Sequence, residues 1–246
     1  MDYPIFPHEV PYLTTDQMIE VDRAMVDDFR IELIQMMENA GRNLAHLART
    51  RFLDGDPVGK SVVVIAGTGG NGGGALVAAR RLFNWGAKVQ VVLARPAEKF
   101  NSIPAHQLSI LQRMQVPIYP STAISDVTPP ELVLDGLIGY SLRGAPYGST
   151  AELIQWVNAL DVPVLSLDVP SGVDAATGTV FDPAIRATGT MTLALPKEGL
   201  RTSEVEKQIG ELYLADISVP PGLYAEPALG ISIGPLFAQD DIIRLR

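Results

Sequence analysis

From residue 61 onward, short runs of β-branched and aliphatic residues take turns with longer segments whose apolar positions recur every three or four residues. The runs Ser61–Ala66, Val89–Leu93, Val116–Tyr119, Leu132–Asp135, Val164–Asp168, Met191–Leu195 and Glu211–Ala215 have strand length and strand composition. Between them, Ala75–Trp85, Ser102–Met114 and Thr150–Leu160 carry helical spacing. This rhythm predicts an α/β fold, a Rossmann-like, doubly wound, mostly parallel sheet with helices on both faces.

Two further helices are expected before the first strand. Thr14-Thr15-Asp16-Gln17 has the spacing of a capping box, with Leu13 and Met18 placed as a hydrophobic staple, so a helix should open there and run to about Phe29. Leu33, Met37, Ala40, Leu44 and Ala48 then mark one face of a second. They form an N-terminal helical arm, residues 12–50, ahead of a sheet core at 60–217. Proline and glycine crowd Val219–Pro235, so the tail 218–246 is expected to pack irregularly or add an edge strand. With no repeat or linker, the whole chain 1–246 reads as a single domain.

Composition narrows the chemistry. At 246 residues and 47% hydrophobic, the chain can bury a substantial core. A formal charge of −9 repels nucleic acid and anionic membrane, so any anionic ligand must be held by local groups. Absence of cysteine excludes disulfides and thiolate catalysis. The opening Met1-Asp2-Tyr3-Pro4 has no leader character and no stretch is apolar enough to span a bilayer, so a cytoplasmic location is expected. The histidines, His8, His46 and His106, match no metal spacing and receive no role.

Two polar segments follow strand-like runs, where open α/β sheets bind ligands. In the first, Gly67, Gly69 and Gly72 satisfy G-x-G-x-x-G, which suits a pyrophosphate at a helix N-terminus. A dinucleotide dehydrogenase would add an acidic residue at the end of the next strand, but that strand ends Leu93-Ala94-Arg95-Pro96, which suits at best a 2′-phosphate. No Gly-Lys-Ser/Thr follows, which excludes a Walker A loop. The second segment is Asp168-Val169-Pro170-Ser171-Gly172-Val173-Asp174. On residue type alone Asp168, Asp135 and Asp174 also suit turn caps, Lys197 a solvated loop lysine, and Arg143 a surface arginine.

The ordered series Met37-Glu38-Asn39-Ala40-Gly41-Arg42, the glycine loop, Asp135-Gly136-Leu137-Ile138-Gly139, the Asp168–Asp174 hinge and Leu195-Pro196-Lys197-Glu198-Gly199-Leu200 resembles the YjeF N-terminal domain family. The likeness runs from about Tyr12 to Asp216. It implies NAD(P)H-hydrate (NAD(P)HX) epimerase activity, the isomerisation of a damaged nicotinamide cofactor, and a homodimer. It further implies one potassium ion on Asn71, Asp135 and Ser171. The nucleotide would meet Gly70, Asn71, Gly72, Gly73, Gly74, the loop Gly139, Tyr140, Ser141, Leu142, Arg143, Gly144 and Ala145, and Asp168. Asp168 and Lys197 are the expected catalytic pair, Asp168 exchanging a proton with the substrate hydroxyl while Lys197 or a water steadies the opposite charge.

One feature departs from the family pattern: its loop reads Gly-Asn-Asn-Gly-Gly-Asp-Gly, whereas Gly70 and Gly74 stand here at the first Asn and the Asp. A catalytically degenerate nucleotide-binding or protein-interaction module of the same fold is therefore the alternative. An NADP-dependent oxidoreductase ranks below both, because it leaves the hinge and the Pro196-Lys197 segment unexplained.

Overall fold

The computed structural model describes residues 3–246. Helix α1 (Thr15–Asp27) opens on the expected capping box: Thr14 accepts from the Gln17 amide while Gln17 accepts from the Thr14 amide. Helix α2 (Leu33–Leu47) follows, and then β1 (Ser61–Ala66), α3 (Gly70–Asn84), β2 (Lys88–Leu93), α4 (Ser102–Arg113), β3 (Ile118–Pro120), β4 (Leu132–Gly136), α5 (Ser149–Ala159), β5 (Val164–Leu167) and β6 (Gly189–Leu193). Short α6 (Glu206–Ile209), β7 (Glu211–Ala215), α7 (Pro221–Ala225) and β8 (Ile242–Arg244) complete the chain.

The strands form one sheet in the order β3-β2-β1-β4-β5-β6-β7-β8, parallel throughout except for the antiparallel edge strand β8. Alternate residues of β1 serve opposite faces, as a pleated strand requires. Val62, Val64 and Ala66 share a buried cluster with α2, α3 and α4, whereas Val63 and Ile65 share one with Leu153, Ile154 and Val157 of α5. The strand order reverses between β1 and β4, and the crevice outside their carboxyl ends is where such sheets bind ligands.

Several boundaries differ from the sequence pattern. Helix α3 begins at Gly70, inside the glycine run, rather than at Ala75. Glycine is a poor helix former, but here the close approach of neighbouring backbone compensates. A Cβ at Gly72 would sit 1.8 Å from the Gly67 carbonyl oxygen, so only glycine closes this turn. Strand β6 starts two residues earlier than expected and stops before Ala194, whose φ of 62° turns the chain out of the sheet. Strand β5 likewise stops before Asp168, at φ 67°. The tail supplies both the edge strand and α7.

The arm is docked rather than free. Leu13 bridges to Lys197 through paired backbone bonds, Leu13 N to Pro196 O at 2.8 Å and Glu198 N to Leu13 O at 2.9 Å. That bridge lays α1 across the ends of β6 and β7, where Met18, Val21 and Met25 pack with Leu195, Leu214 and Ile217. Helix α2 crosses α3 at Gly41, where a Cβ would come within 2.4 Å of the Gly74 carbonyl oxygen.

Candidate functional site

At the carboxyl end of the sheet lies a cavity of about 470 Å3. Its floor is made by strand-end loops carrying Thr68, Gly69, Leu137, Ile138, Gly139, Tyr140, Ser141 and Asp168, by Leu167 at the end of β5, and by Gly70 and Asn71 in the first turn of α3. Its roof is the arm, which contributes Met18 and Asp22 from α1 and Leu33, Met36 and Met37 from α2. Met36 and Met37 of α2 are both buried, and both line this cavity.

Asp168 is 4% exposed and is held from three sides. Its Oδ1 receives Lys197 Nζ and, at 3.4 Å, Thr192 Oγ1, while its Oδ2 accepts the Tyr140 amide at 3.1 Å. Lys197 is fully buried, with its other donors directed to the Leu193 carbonyl at 2.9 Å and Thr192 Oγ1 at 3.3 Å. It does not line the cavity. All three donors of this ammonium are therefore engaged within the protein, behind the Asp168 carboxylate and away from the cavity.

One strand away, Asp135 is also fully buried, but in a different setting. It accepts from Ser171 Oγ (2.7 Å), the Ser171 amide (2.9 Å), Ser166 Oγ (2.8 Å) and the Leu137 amide (3.2 Å). Burial pushes its pKa above the ordinary range, against the pull of those donors. All of these partners are neutral.

The expected cation ligands thus separate into a buried pair, Asp135 with Ser171, and Asn71 at the cavity wall. Asn71 Nδ2 donates to the Leu167 carbonyl at 3.1 Å, and its side-chain oxygen lies beside Gly139, 3.4 Å from where a Cβ there would stand. That hypothetical Cβ would also be 3.1 Å from Asp168 Oδ2, so Gly139 keeps the floor open between the amide and the carboxylate. Ser171 Oγ reaches the same loop by accepting the Ile138 amide at 2.9 Å.

Other expected ligand contacts lie elsewhere. Gly72, Gly73 and Gly74 are buried within α3 and do not line the cavity; Met37 packs on Gly73, and a Cβ at Gly74 would meet Leu167 Cδ2 at 2.9 Å. The missing loop carboxylate therefore corresponds to an apolar contact here. Leu142, Arg143, Gly144 and Ala145 stand outside the cavity, with Arg143 exposed. Asp174 closes a turn, accepting the Ala176 and Thr177 amides at 2.8 and 2.9 Å.

Sequence reasoning missed Asp22, Ser166 and Thr192. Ser166 and Thr192 carried a signal, being polar positions inside apolar strand runs. Asp22 carried one too: an acid on the face marked by Met18 and Met25, four residues after the first and three before the second. Its Oδ2 accepts the Tyr140 hydroxyl at 2.5 Å. Burial raises its pKa, offset in part by that bond, and burial together with the Asp22 charge holds the Tyr140 phenol far above its usual range.

Among the described residues no cluster of His, Cys, Asp and Glu forms a metal site, and no helix is long and apolar enough to cross a membrane. The family model for the YjeF-related protein N-terminus matches residues 33–199. A protein from Dehalogenimonas lykanthroporepellens named NAD(P)H-hydrate epimerase is 44% identical over 92% of this chain and 89% of its own length. A Salinibacter ruber protein named bifunctional NAD(P)H-hydrate repair enzyme Nnr is 35% identical over 86% of this chain, which spans only 41% of that longer protein. The crystal structure of yeast ynu0 superposes with a TM-score of 0.81 at 24% identity, covering 96% of this chain and 100% of its own.

Proposed function

This chain belongs to the YjeF-related protein N-terminus family, and from that premise we propose that it is an NAD(P)H-hydrate epimerase, interconverting the R and S forms of hydrated NADH and NADPH. The observation that carries this reading is Asp168: a carboxylate at the wall of a cavity at the sheet's switch-point edge, pinned by Lys197, Thr192 and the Tyr140 amide. The substrate's hydroxyl sits on ring carbon 6, next to the ring nitrogen. Inverting that centre needs no redox group, only groups that hold and release protons where the C–O bond breaks and reforms. Asp168 faces the cavity and takes that role; Lys197, closed off behind it, keeps it oriented and counters its charge.

The pyrophosphate of the dinucleotide would lie against the amino end of α3, where Gly69 and Gly70 line the cavity and a helix start offers backbone amides without intrahelical partners. This local arrangement is what lets a chain of net charge −9 hold an anionic ligand.

The residues also fit a hard monovalent cation. A fully buried Asp135 with only neutral donors lacks a countercharge, and the side chains of Asn71, Asp135 and Ser171 each offer an oxygen. Asn71, Asp135 and Ser171 would hold potassium, which would supply positive charge below the floor. Its presence is tested by thermal unfolding: melting should rise with potassium over an equal concentration of lithium, and Asp135→Asn should abolish the difference. Exposed Ile19, Phe29 and Leu33 on and beside the arm helices are the apolar surface a homodimer would cover.

The activity itself is tested by incubating purified protein with R- or S-NADHX and separating the epimers by chromatography, with potassium present and absent. Acceleration above the spontaneous rate is expected. A folded protein that gives none would leave the alternative, a non-catalytic module of the same fold, in place.

A further inference from the structure

Asp22 meets three conditions that no other unassigned side chain here meets together. It lines the cavity that Asp168 lines, but from the roof. One of its oxygens is fixed by the Tyr140 hydroxyl at 2.5 Å, while Oδ1 receives no hydrogen bond from the described residues. And Tyr140 ties it to the floor, since the same residue's amide binds Asp168 Oδ2 at 3.1 Å. Two carboxylates thus stand at the two ends of one tyrosine, facing one cavity.

Epimerisation creates a need for two such groups. The hydroxyl leaves one face of ring carbon 6 and oxygen returns to the other, so a single proton-transfer group on one side can serve only half of the exchange. The geometry points to Asp22 as the second proton-transfer group of the epimerase, working on the roof side of the substrate ring while Asp168 works on the floor side. This rests on the epimerase reading above.

The steps balance without a further reactant. Protonated Asp22 gives its proton to the hydroxyl of carbon 6; the C–O bond breaks with its electron pair on oxygen, water departs, and the ring nitrogen's lone pair forms the N=C bond. Water then adds to the opposite face, the N=C pair returns to nitrogen, and the added water's proton passes to Asp168. The proton reaches Asp22 again through solvent, or the opposite epimer is processed with the two roles exchanged. Burial above the roof favours the protonated Asp22 that the first step requires. Tyr140 is unsuited to that task, because the neighbouring Asp22 charge and burial hold its phenol proton in place. It is the positioning residue. The groups that bear on Asp22 are Tyr140 from the loop after β4, Asp168 after β5, Lys197 after β6 and Tyr224 of α7; Arg23 beside it on α1 is committed to Glu20 and Asp28.

The test is steady-state kinetics of Asp22→Asn and Tyr140→Phe on R- and S-NADHX across pH. One proton shared between two groups gives a kcat/KM that falls on both sides of an optimum. Asp22→Asn, which can still accept from Tyr140, should lower kcat about 10²- to 10⁴-fold with little change in KM, and should erase the high-pH limb. Tyr140→Phe keeps the carboxylate but removes the donor that favours its charged form, so the high-pH limb should move upward. An active wild type with Asp22→Asn within about threefold of its kcat and both limbs in place overturns the assignment. Should Asp22→Asn fail to fold, an unmoved limb in Tyr140→Phe overturns it alone. A wild type that does not interconvert the epimers instead sinks the epimerase reading beneath it.

Discussion

The two walls of the cavity are built by different physics. The floor is a set of strand ends, where Asn71, Gly139 and Asp168 are placed by parallel ladders that align Ile65 with Asp135 and Asp135 with Ser166. Each floor group is one or a few residues beyond a hydrogen-bonded pair, so its position follows from backbone register. The roof is two helices held by side-chain packing, by the Leu13–Lys197 bridge and by the tight crossing at Gly41. A floor made this way mixes polar groups with aliphatic ones such as Leu137, Ile138 and Leu167, and a roof made this way is apolar, with one acid. The contrast teaches that chemistry at this site is anchored in the sheet, while access to it and its second carboxylate depend on how the arm docks.

Removing the floor's facing group should have the largest effect. Asp168→Asn is expected to lower turnover about 10²- to 10⁴-fold; it also leaves the buried Lys197 without its counterion, so the melting temperature should fall while circular dichroism below the melt still shows the native fold, and turnover within a few-fold of wild type would remove Asp168 from the mechanism. Next comes the group behind it. Lys197→Met leaves a carboxylate that is 4% exposed without its counterion, a loss of roughly 3–5 kcal/mol by the usual cost of breaking a buried pair. Urea unfolding measures it, and a change below 1 kcal/mol, about the ceiling for exposed pairs, would mean that the pair is effectively solvated.

The roof should respond less, and differently. Gly41→Ala drives a methyl into the Gly74 carbonyl and Val77, which should cost about 1–3 kcal/mol by overpacking and shift α2 against α3. Because α2 carries Met36 and Met37, KM should rise more than kcat falls; an equal fall in kcat would argue that floor and roof are mechanically one unit.

The smallest effect is a pH dependence. Glu38 on α2 binds Arg80 on α3 at 2.6 and 2.7 Å; burial raises its pKa, but Arg80, Gln107 and Arg81 together pull it below the ordinary value. A folded pKa below the unfolded one, near about 4.3, means that this stabilisation is complete above that value and is lost as pH falls through the lower, folded one. Glu38→Gln should therefore cost up to about 1 kcal/mol at neutral pH, and the gap to wild type should close in acid. A gap that persists at low pH would assign the loss to packing.

The floor was more legible in the sequence than the roof for a reason visible in particular residues. Asp135 and Asp168 each end a strand-like run and Asn71 follows one, and a parallel sheet brings all such ends to one edge whatever the intervening helices do. Ser166 and Thr192 were harder to read, because a polar residue within a strand can face either side until its register is known. Lys197 was recognisable as a motif residue, but its place behind Asp168 depended on the turn that Ala194 makes at φ 62°. Asp22 was the most hidden. It lies well over a hundred residues before Asp168 in the chain, on a helix whose apolar stripe shows that it packs without showing on what.

Hydrophobic periodicity, turn residues and capping signals are local, and by themselves they determined that this chain is a doubly wound α/β protein with a polar strand-end edge, a glycine-rich turn between its first strand and the next helix, and a helical arm. Tertiary structure alone decided which side chains share the cavity: that Lys197 is sealed behind Asp168, that Asp135 is enclosed by neutral donors, and that Asp22 hangs from the roof on Tyr140. Those pairings join residues 29, 36 and 118 positions apart, and no local propensity carries the free energy of a contact that exists only after the chain has closed on itself.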